Sequence, residues 1–159
     1  MNRLNTALIH IVPRSPRGVV QVTLVALGTI VILGSLAMAG LLFITMPSSE
    51  SGFAEGLAIL VFGLYTLVGF IILAAGLLIP QRSDDGIHFT RTQRTLLAYG
   101  MLVPIVSVLA IPIGTTLLPP LSSGLTSLLV YGLAVLIMSG PLAILLTIGM
   151  KLHQYIVER

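Results

Sequence analysis

The segment PQRSDDGIHFTRTQR, residues 80–94, is the longest polar interruption in an otherwise strongly apolar chain. It contains three of the eight Lys and Arg residues and two of the five acidic residues. On each side of it lies an apolar block about twice as long as the roughly 20 residues that a helix needs to cross a bilayer. We therefore interpret residues 80–94 as a cytoplasmic loop that joins two transmembrane helical hairpins.

The composition indicates that lipid, not water, surrounds most of the chain. Of its 159 residues, 56% are hydrophobic and 8% are charged, whereas a soluble domain has about 25% charged residues. The eight basic residues are too few and too scattered to form a nucleic-acid-binding surface. There is no cysteine, which excludes disulfides, thiolate metal sites and a cysteine nucleophile. Membrane lipid is therefore the first predicted partner, and no nucleic acid is expected.

Hydropathy predicts an all-α integral membrane protein, a four-helix transmembrane bundle built from two hairpins within a single transmembrane domain. Each charge-free run is long enough to span the hydrocarbon region. The predicted segments are an interfacial segment at residues 1–14, spans at 18–46, 52–79, 95–118 and 122–150, the cytoplasmic loop at 80–94 and a cytoplasmic tail at 151–159.

The first residues have the spacing of an amphipathic helix, with apolar side chains at Leu4, Leu8, Ile11 and Val12. Pro13 would end such a helix. A short helix lying on the inner leaflet fits this pattern, and a loosely ordered tail is the alternative.

The start of the third helix carries its own signal. The sequence Thr90-Arg91-Thr92-Gln93 has the Thr-x-x-Gln form of a capping box. It predicts that this helix begins near Arg91.

The basic residues predict the orientation of the chain. In the four-span interpretation all of them fall on one side, and the outer loops at 47–51 and 119–122 contain none. Because Lys and Arg are retained in the cytoplasm, both termini are predicted to be cytoplasmic, in the cell membrane. The predicted contacts with lipid headgroups are Arg3, Arg14, Arg17, Arg82, Arg91, Arg94 and Lys151.

Small residues on the first two spans suggest a face for close helix packing, because they allow two backbones to approach. The alternative is that glycine is simply common in membrane helices. The predicted packing residues are Gly34, Ala37, Gly52, Gly56, Gly63, Gly69 and Gly76.

A duplication of the two hairpins is conceivable. The pentapeptide at residues 60–64, LVFGL, resembles LVYGL at residues 129–133. The first and third helices show no convincing match at a similar spacing, so this comparison leaves the repeat open.

Three prolines fall inside the predicted spans, namely Pro104, Pro112 and Pro141. Each removes a backbone hydrogen bond and is expected to kink its helix. The kinks could form a gate or a groove, or could simply fit a compact bundle, which is the interpretation favoured here.

The spans contain no acidic, basic or histidine residue apart from Glu55 near the start of the second. Proton- or sodium-coupled transport, intramembrane proteolysis and haem ligation all need such groups at membrane depth. His10, His88 and His153 lie in three separate segments without metal-ligand spacing. We therefore predict no catalytic, metal-binding or cofactor-binding residue, and a protein that is not an enzyme.

Three functions remain compatible with the sequence. The favoured one is an accessory or structural subunit that packs against the helices of another membrane protein or of its own copies. The first alternative is a small oligomeric transporter or channel. The second is a lipid-handling protein that contacts headgroups at the inner leaflet through Arg82, Asp84, Asp85, His88 and Arg91.

Overall fold

The computed structural model describes residues 16–45, 52–79, 89–117 and 123–157, with side chains for all of them except 113–117 and 123. Four helices make up this part of the chain: α1 (Pro16–Thr45), α2 (Phe53–Leu78), α3 (Arg91–Leu117) and α4 (Ser123–Val157). Each is long and apolar enough to cross a membrane, so the predicted all-helical class with four membrane-length helices is confirmed. The predicted interfacial segment, residues 1–14, lies outside the described residues.

The length of the helices explains how these segments satisfy their backbone hydrogen bonds in lipid. The shortest of the four, α2, has 26 residues, which at about 1.5 Å per residue gives roughly 39 Å. The hydrocarbon core is about 30 Å thick. Apart from the carbonyl groups that Pro104, Pro112 and Pro141 leave without a donor, the peptide groups at that depth can therefore pair inside their own helix, as a spanning segment requires.

The ends of α2 are defined by backbone geometry. Gly52 precedes the helix with φ 59, in the left-handed region that glycine adopts without steric cost, and its carbonyl oxygen accepts from the Gly56 amide at 3.0 Å. At the other end Ile79 is extended and its amide donates to the Gly76 carbonyl oxygen at 3.4 Å. Residue 80 is proline, which disfavours helical geometry at the residue before it.

The capping box predicted at the start of α3 is confirmed. The Thr90 amide donates to Gln93 Oε1 at 3.0 Å, and the Gln93 amide donates to Thr90 Oγ1 at 3.3 Å. These two bonds satisfy donors that the first helical turn otherwise leaves unpaired. As predicted, the helix begins at Arg91.

The helices form two hairpins, and each hairpin is a unit of its own. In the first hairpin α1 packs against α2, and in the second α3 packs against α4. We call the end of a hairpin that carries its connecting loop the turn end, and the opposite end the terminal end.

In both hairpins the buried residues lie towards the terminal end. The first hairpin buries residues up to Ser35 on α1 and from Leu67 onward on α2, and the described residues 36–45 and 53–66 include none that is buried. The second hairpin buries residues between Gln93 and Ser107 on α3 and between Gly140 and Thr147 on α4. Each hairpin is therefore tightly joined over one half of its length and uncovered by its own helices over the other.

Candidate helix-packing sites

The closest contact in the first hairpin joins the backbones of α1 and α2. A Cβ atom added to Gly28 would lie 2.6 Å from the Leu73 backbone nitrogen and 2.8 Å from the Gly69 carbonyl oxygen. A Cβ atom added to Gly69 would lie 2.7 Å from Ile32 Cγ1 and 3.1 Å from the Gly28 carbonyl oxygen. Because the crowding atoms include backbone, neither position accepts a larger residue unless the helices separate.

Two turns further towards the terminal end, Gly76 continues the same contact. A Cβ atom there would lie 2.9 Å from Leu24 Cβ and 3.0 Å from the Val25 backbone nitrogen. Gly69 and Gly76 are seven residues apart and therefore share one face of α2. This face holds α1 at the short distance that small residues permit in membranes.

A pair of hydroxyl groups lies where the close contact between α1 and α2 ends, on the side of the turn end. Ser35 Oγ and Thr66 Oγ1 lie 2.8 Å apart. Ser35 Oγ also lies 2.9 Å from the Ile32 carbonyl oxygen, and Thr66 Oγ1 lies 2.8 Å from the Phe62 carbonyl oxygen. Each hydroxyl has a single proton. When one of them donates across the helices, it therefore gives up the bond to its own backbone.

The second hairpin has a backbone contact of the same kind. A Cβ atom added to Gly100 would lie 2.6 Å from Ile144 Cγ1 and 2.8 Å from the Gly140 carbonyl oxygen. A Cβ atom added to Gly140 would collide with the Pro104 ring and lie 2.7 Å from the Gly100 carbonyl oxygen. Pro104 is one of the fully buried residues of the chain, so its ring is part of the helix contact.

Polar side chains join the terminal end of the second hairpin. Gln93 is fully buried, and its Nε2 donates to Gln154 Oε1 on α4 at 3.4 Å. Since Gln93 Oε1 already accepts from Thr90, one side chain links the start of α3 to the end of α4. Further along the hairpin, the hydroxyls of Tyr99 and Ser139 lie 3.2 Å apart.

The predicted packing residues fall into two groups. Gly69 and Gly76 lie inside the first hairpin, as described above. Gly34, Gly56 and Gly63 have no atom within 4 Å of an added Cβ. Of the other two, Ala37 is exposed and Gly52 precedes α2 with its positive φ. The second group therefore leaves small-residue surface that its own hairpin does not cover.

The three prolines occupy different environments. Pro104 is buried in the contact with Gly140, Pro141 is half-buried, and Pro112 is exposed. All three lie inside α3 or α4. At Pro104 the ring fills space between two helices, which favours a fitted contact over a moving gate.

The residues predicted to touch headgroups lie at helix ends where they are described. Arg17 lies in the first turn of α1, Arg91 and Arg94 begin α3, and all three are exposed. Lys151 is half-buried near the end of α4. Arg3, Arg14 and Arg82, together with Asp84, Asp85 and His88 of the lipid-handling alternative, lie outside the described residues.

Two shallow apolar grooves lie on the hairpins. One, of about 210 Å³, lies between α1 and α2 at the turn-end side of the Ser35–Thr66 pair. The other, of about 480 Å³, lies along the end of α4. The first is lined by Val31, Gly34, Ser35, Met38, Phe62 and Tyr65, and the second by Leu146, Gly149, Met150, His153 and Gln154.

The sequence analysis did not predict Gly28, Gly100 or Gly140 as packing residues, although these residues make the closest contacts. A glycine pattern identifies a helix face but not which of several faces meets the neighbouring helix. A signal that could have found them is an alignment of α1 with α3, because Gly28 and Gly100 occupy matching places in two similar segments.

Together these features define a multi-pass helical membrane protein whose hairpins are held by glycine-mediated backbone contacts. No protein-family model, no curated protein and no solved structure matches the chain.

Proposed function

We propose that this protein is a non-enzymatic accessory or structural subunit that packs the uncovered faces of its helices against a partner membrane protein or its own copies. The observation that carries the proposal is the division of the glycines. Gly28, Gly69 and Gly76 are used inside the first hairpin, whereas a Cβ atom added to Gly34, Gly56 or Gly63 would touch nothing in it.

The uncovered glycines have an energetic cost that needs an explanation. Glycine inside a helix destabilises it by about 1 kcal/mol relative to alanine. Gly56 and Gly63 are seven residues apart and lie on one face of α2. Without water, helices in lipid associate through close packing, and small residues make that packing possible. A second helix packed along this face would offset the helix stability that these glycines lose.

Transport is the second candidate and has weaker support. Kinked helices were its main motivation, but the Pro104 ring is buried against Gly140. The two grooves have mostly apolar linings and are open, which suits lipid chains or helix side chains better than ions. Lipid handling at the inner leaflet depends on residues 82–91, most of which lie outside the described part of the chain.

The proposal includes an orientation. Both termini and the loop at residues 80–94 would face the cytoplasm of a cell whose plasma membrane holds the protein. The support is the placement of all eight Lys and Arg residues on one side of the four spans.

The test is purification of the full-length chain from its native membrane in mild detergent, followed by measurement of the protein mass without detergent. We expect a defined assembly larger than the 16.8 kDa chain. The double variant Gly56→Leu, Gly63→Leu should dissociate it, since leucine side chains would fill the face that the partner occupies.

The matched control is Gly149→Leu, which enlarges another glycine that has no atom within 4 Å of an added Cβ but lies on α4. This variant should keep the assembly. A chain that purifies as a monomer, or an assembly that the double variant leaves intact, would refute the proposed function.

A further inference from the structure

We propose that the two hairpins are copies of one duplicated two-helix module, in which Gly28 of α1 corresponds to Gly100 of α3 and Gly69 of α2 corresponds to Gly140 of α4. The sequence of α1 from residue 21, QVTLVALGTIVILGS, aligns without gaps with QRTLLAYGMLVPIVS from residue 93 of α3. Seven of the 15 aligned positions are identical: Gln21/Gln93, Thr23/Thr95, Leu24/Leu96, Ala26/Ala98, Gly28/Gly100, Val31/Val103 and Ser35/Ser107.

Apolar composition does not account for this match. Four of the identities are Gln, Thr, Gly and Ser, of which glutamine is the most informative. The whole chain contains four glutamines, at positions 21, 81, 93 and 154, and two of them coincide in this alignment.

The packing of these glycines agrees with the alignment and extends it to α2 and α4. A Cβ atom on Gly28 would meet the Gly69 carbonyl oxygen at 2.8 Å, and one on Gly100 would meet the Gly140 carbonyl oxygen at 2.8 Å. The nearest atom belongs to Leu73 in the first case and to Ile144 in the second, at 2.6 Å in both. Leu73 follows Gly69 by one helical turn, and Ile144 follows Gly140 by the same number of positions, so both pairs place α2 and α4 in one register.

The reciprocal contacts agree. Gly69 faces Ile32, and Gly140 faces Pro104. Ile32 and Pro104 are paired with each other in the gapless alignment of α1 with α3. Over the 26 residues of α2, the register set by the contacts gives two identities with α4, Leu57/Leu128 and Gly69/Gly140. The geometry therefore detects a relationship between α2 and α4 that their residue identities alone would not reveal.

Two of the identical polar pairs, Gln21/Gln93 and Ser35/Ser107, are buried in both hairpins. Gln21 is 5% exposed and Gln93 is 0% exposed, while Ser35 is 7% exposed and Ser107 is 5% exposed. Buried polar side chains are costly in apolar surroundings, so the presence of two such pairs at aligned positions supports the alignment. Small size is also retained on the uncovered face of the second helix, where Gly56 corresponds to Ser127 and Gly63 to Ala134.

The expectation that the first and third helices show no convincing match is therefore wrong, and this alignment replaces the pentapeptide match between residues 60–64 and 129–133. That match equates Leu60 with Leu129, whereas the contacts equate Leu60 with Tyr131, two positions further along α4. Two positions rotate a helix by about 200°, so the pentapeptides lie on nearly opposite faces with respect to the partner helix. Their similarity is a coincidence of composition.

The copies have diverged at defined places, since Ile32 corresponds to Pro104 and Gly76 corresponds to Thr147. The proline at position 104 of α3 is thus a feature of the second copy alone.

The first experiment uses cysteine cross-linking in the full-length chain, which has no cysteine of its own. The pair Ser35→Cys, Thr66→Cys is the positive control because these side chains are in contact. The alignment equates Thr66 with Ile137, so Ser107→Cys, Ile137→Cys should form a disulfide to a similar extent, within about twofold. A protease site is inserted between the two cysteines, in segment 46–51 for the 35–66 pair and in segment 118–122 for the 107–137 pair. After cleavage, the two fragments stay together on a non-reducing gel only if the disulfide has formed.

The matched negative control is Ser107→Cys, Val135→Cys, because the pentapeptide register would equate Thr66 with Val135. Preferential linkage of this pair would overturn the alignment. So would absence of the 107–137 link in a chain that remains helical and elutes as a single species.

The second experiment exchanges a residue between the copies. Pro104→Ile places opposite Gly140 the isoleucine that the first module has at position 32. The disulfide between positions 107 and 137 should then form to the same extent as without the exchange. The unfolding midpoint should be equal to or higher than that of the chain with Pro104. Loss of the link on this exchange would mean that the two contacts are not equivalent, and would overturn the proposal.

Discussion

The hydroxyl oxygens of Ser35 and Thr66 lie 2.8 Å apart across the contact between α1 and α2, at the point where buried residues give way to uncovered ones. Each hydroxyl also has a carbonyl acceptor on its own helix. Loss of one hydroxyl therefore leaves the other with a backbone partner, and no buried donor is orphaned.

From this arrangement we expect a small coupling energy between the two residues. The variants Ser35→Ala, Thr66→Val and the double variant should give a coupling of about 0.6 kcal/mol, the typical value for such bonds in membrane proteins. The measurement is a double-mutant cycle by reversible unfolding in mixed micelles. A coupling several times larger than this value would show that the two hydroxyls do not have the alternative acceptors described here.

Gly28 and Gly40 form a matched pair for testing the backbone contact. Gly28→Ala should destabilise the protein by about 1–3 kcal/mol, because the new methyl group would lie 2.6 Å from a backbone nitrogen. Gly40→Ala meets no atom within 4 Å and should be neutral or stabilise the helix by up to about 1 kcal/mol. The same unfolding assay compares them, and equal effects of the two substitutions would contradict the packing of α1.

Gln93 combines two roles that substitution can separate. Gln93→Leu removes both the capping-box acceptor and the donor to Gln154, and should cost about 1–2 kcal/mol. Gln154→Leu removes only the bond between helices, which at 3.4 Å is long, and should cost about 0.6 kcal/mol or less. Amide hydrogen exchange should show faster exchange in the first turn of α3 for the first variant but not for the second.

The proposed orientation can be tested with single cysteines. Ser83→Cys and Arg159→Cys should be protected from an impermeant thiol reagent in intact cells and react after permeabilisation, whereas Ser49→Cys should react without permeabilisation. The reason is that basic residues flank position 83 and lie near position 159, and are absent around position 49. Labelling of positions 83 and 159 from opposite sides would contradict the two-hairpin topology.

The four helices could be predicted because each depends on local information. A run of apolar residues longer than the bilayer is thick specifies a span by itself, and the capping box at Thr90 specifies where α3 begins. These signals lie within a few neighbouring residues. Tertiary contacts are not needed to interpret them.

The pairing of helix faces could not be derived in the same way. Gly56 and Gly76 look alike in the sequence, yet one is uncovered and the other faces Leu24 and Val25. Which glycine is used depends on where the helices cross, a property of two segments that lie far apart in the chain. Comparison of the two hairpins identifies Gly28, because Gly28 and Gly100 recur at the same distance from a buried glutamine, but it does not identify Gly76, which corresponds to Thr147.

The length of α4 has a mechanical consequence. Its 35 residues extend about 52 Å at about 1.5 Å per residue, more than the roughly 40–45 Å of a bilayer with its headgroups. A helix of this length lying along the bilayer normal would extend beyond the headgroups, and its last turns, around Gln154, are the end that carries the polar side chains. Because Gln154 accepts from Gln93, a displacement of this end of α4 would reach the first turn of α3 only until that long, weak bond breaks.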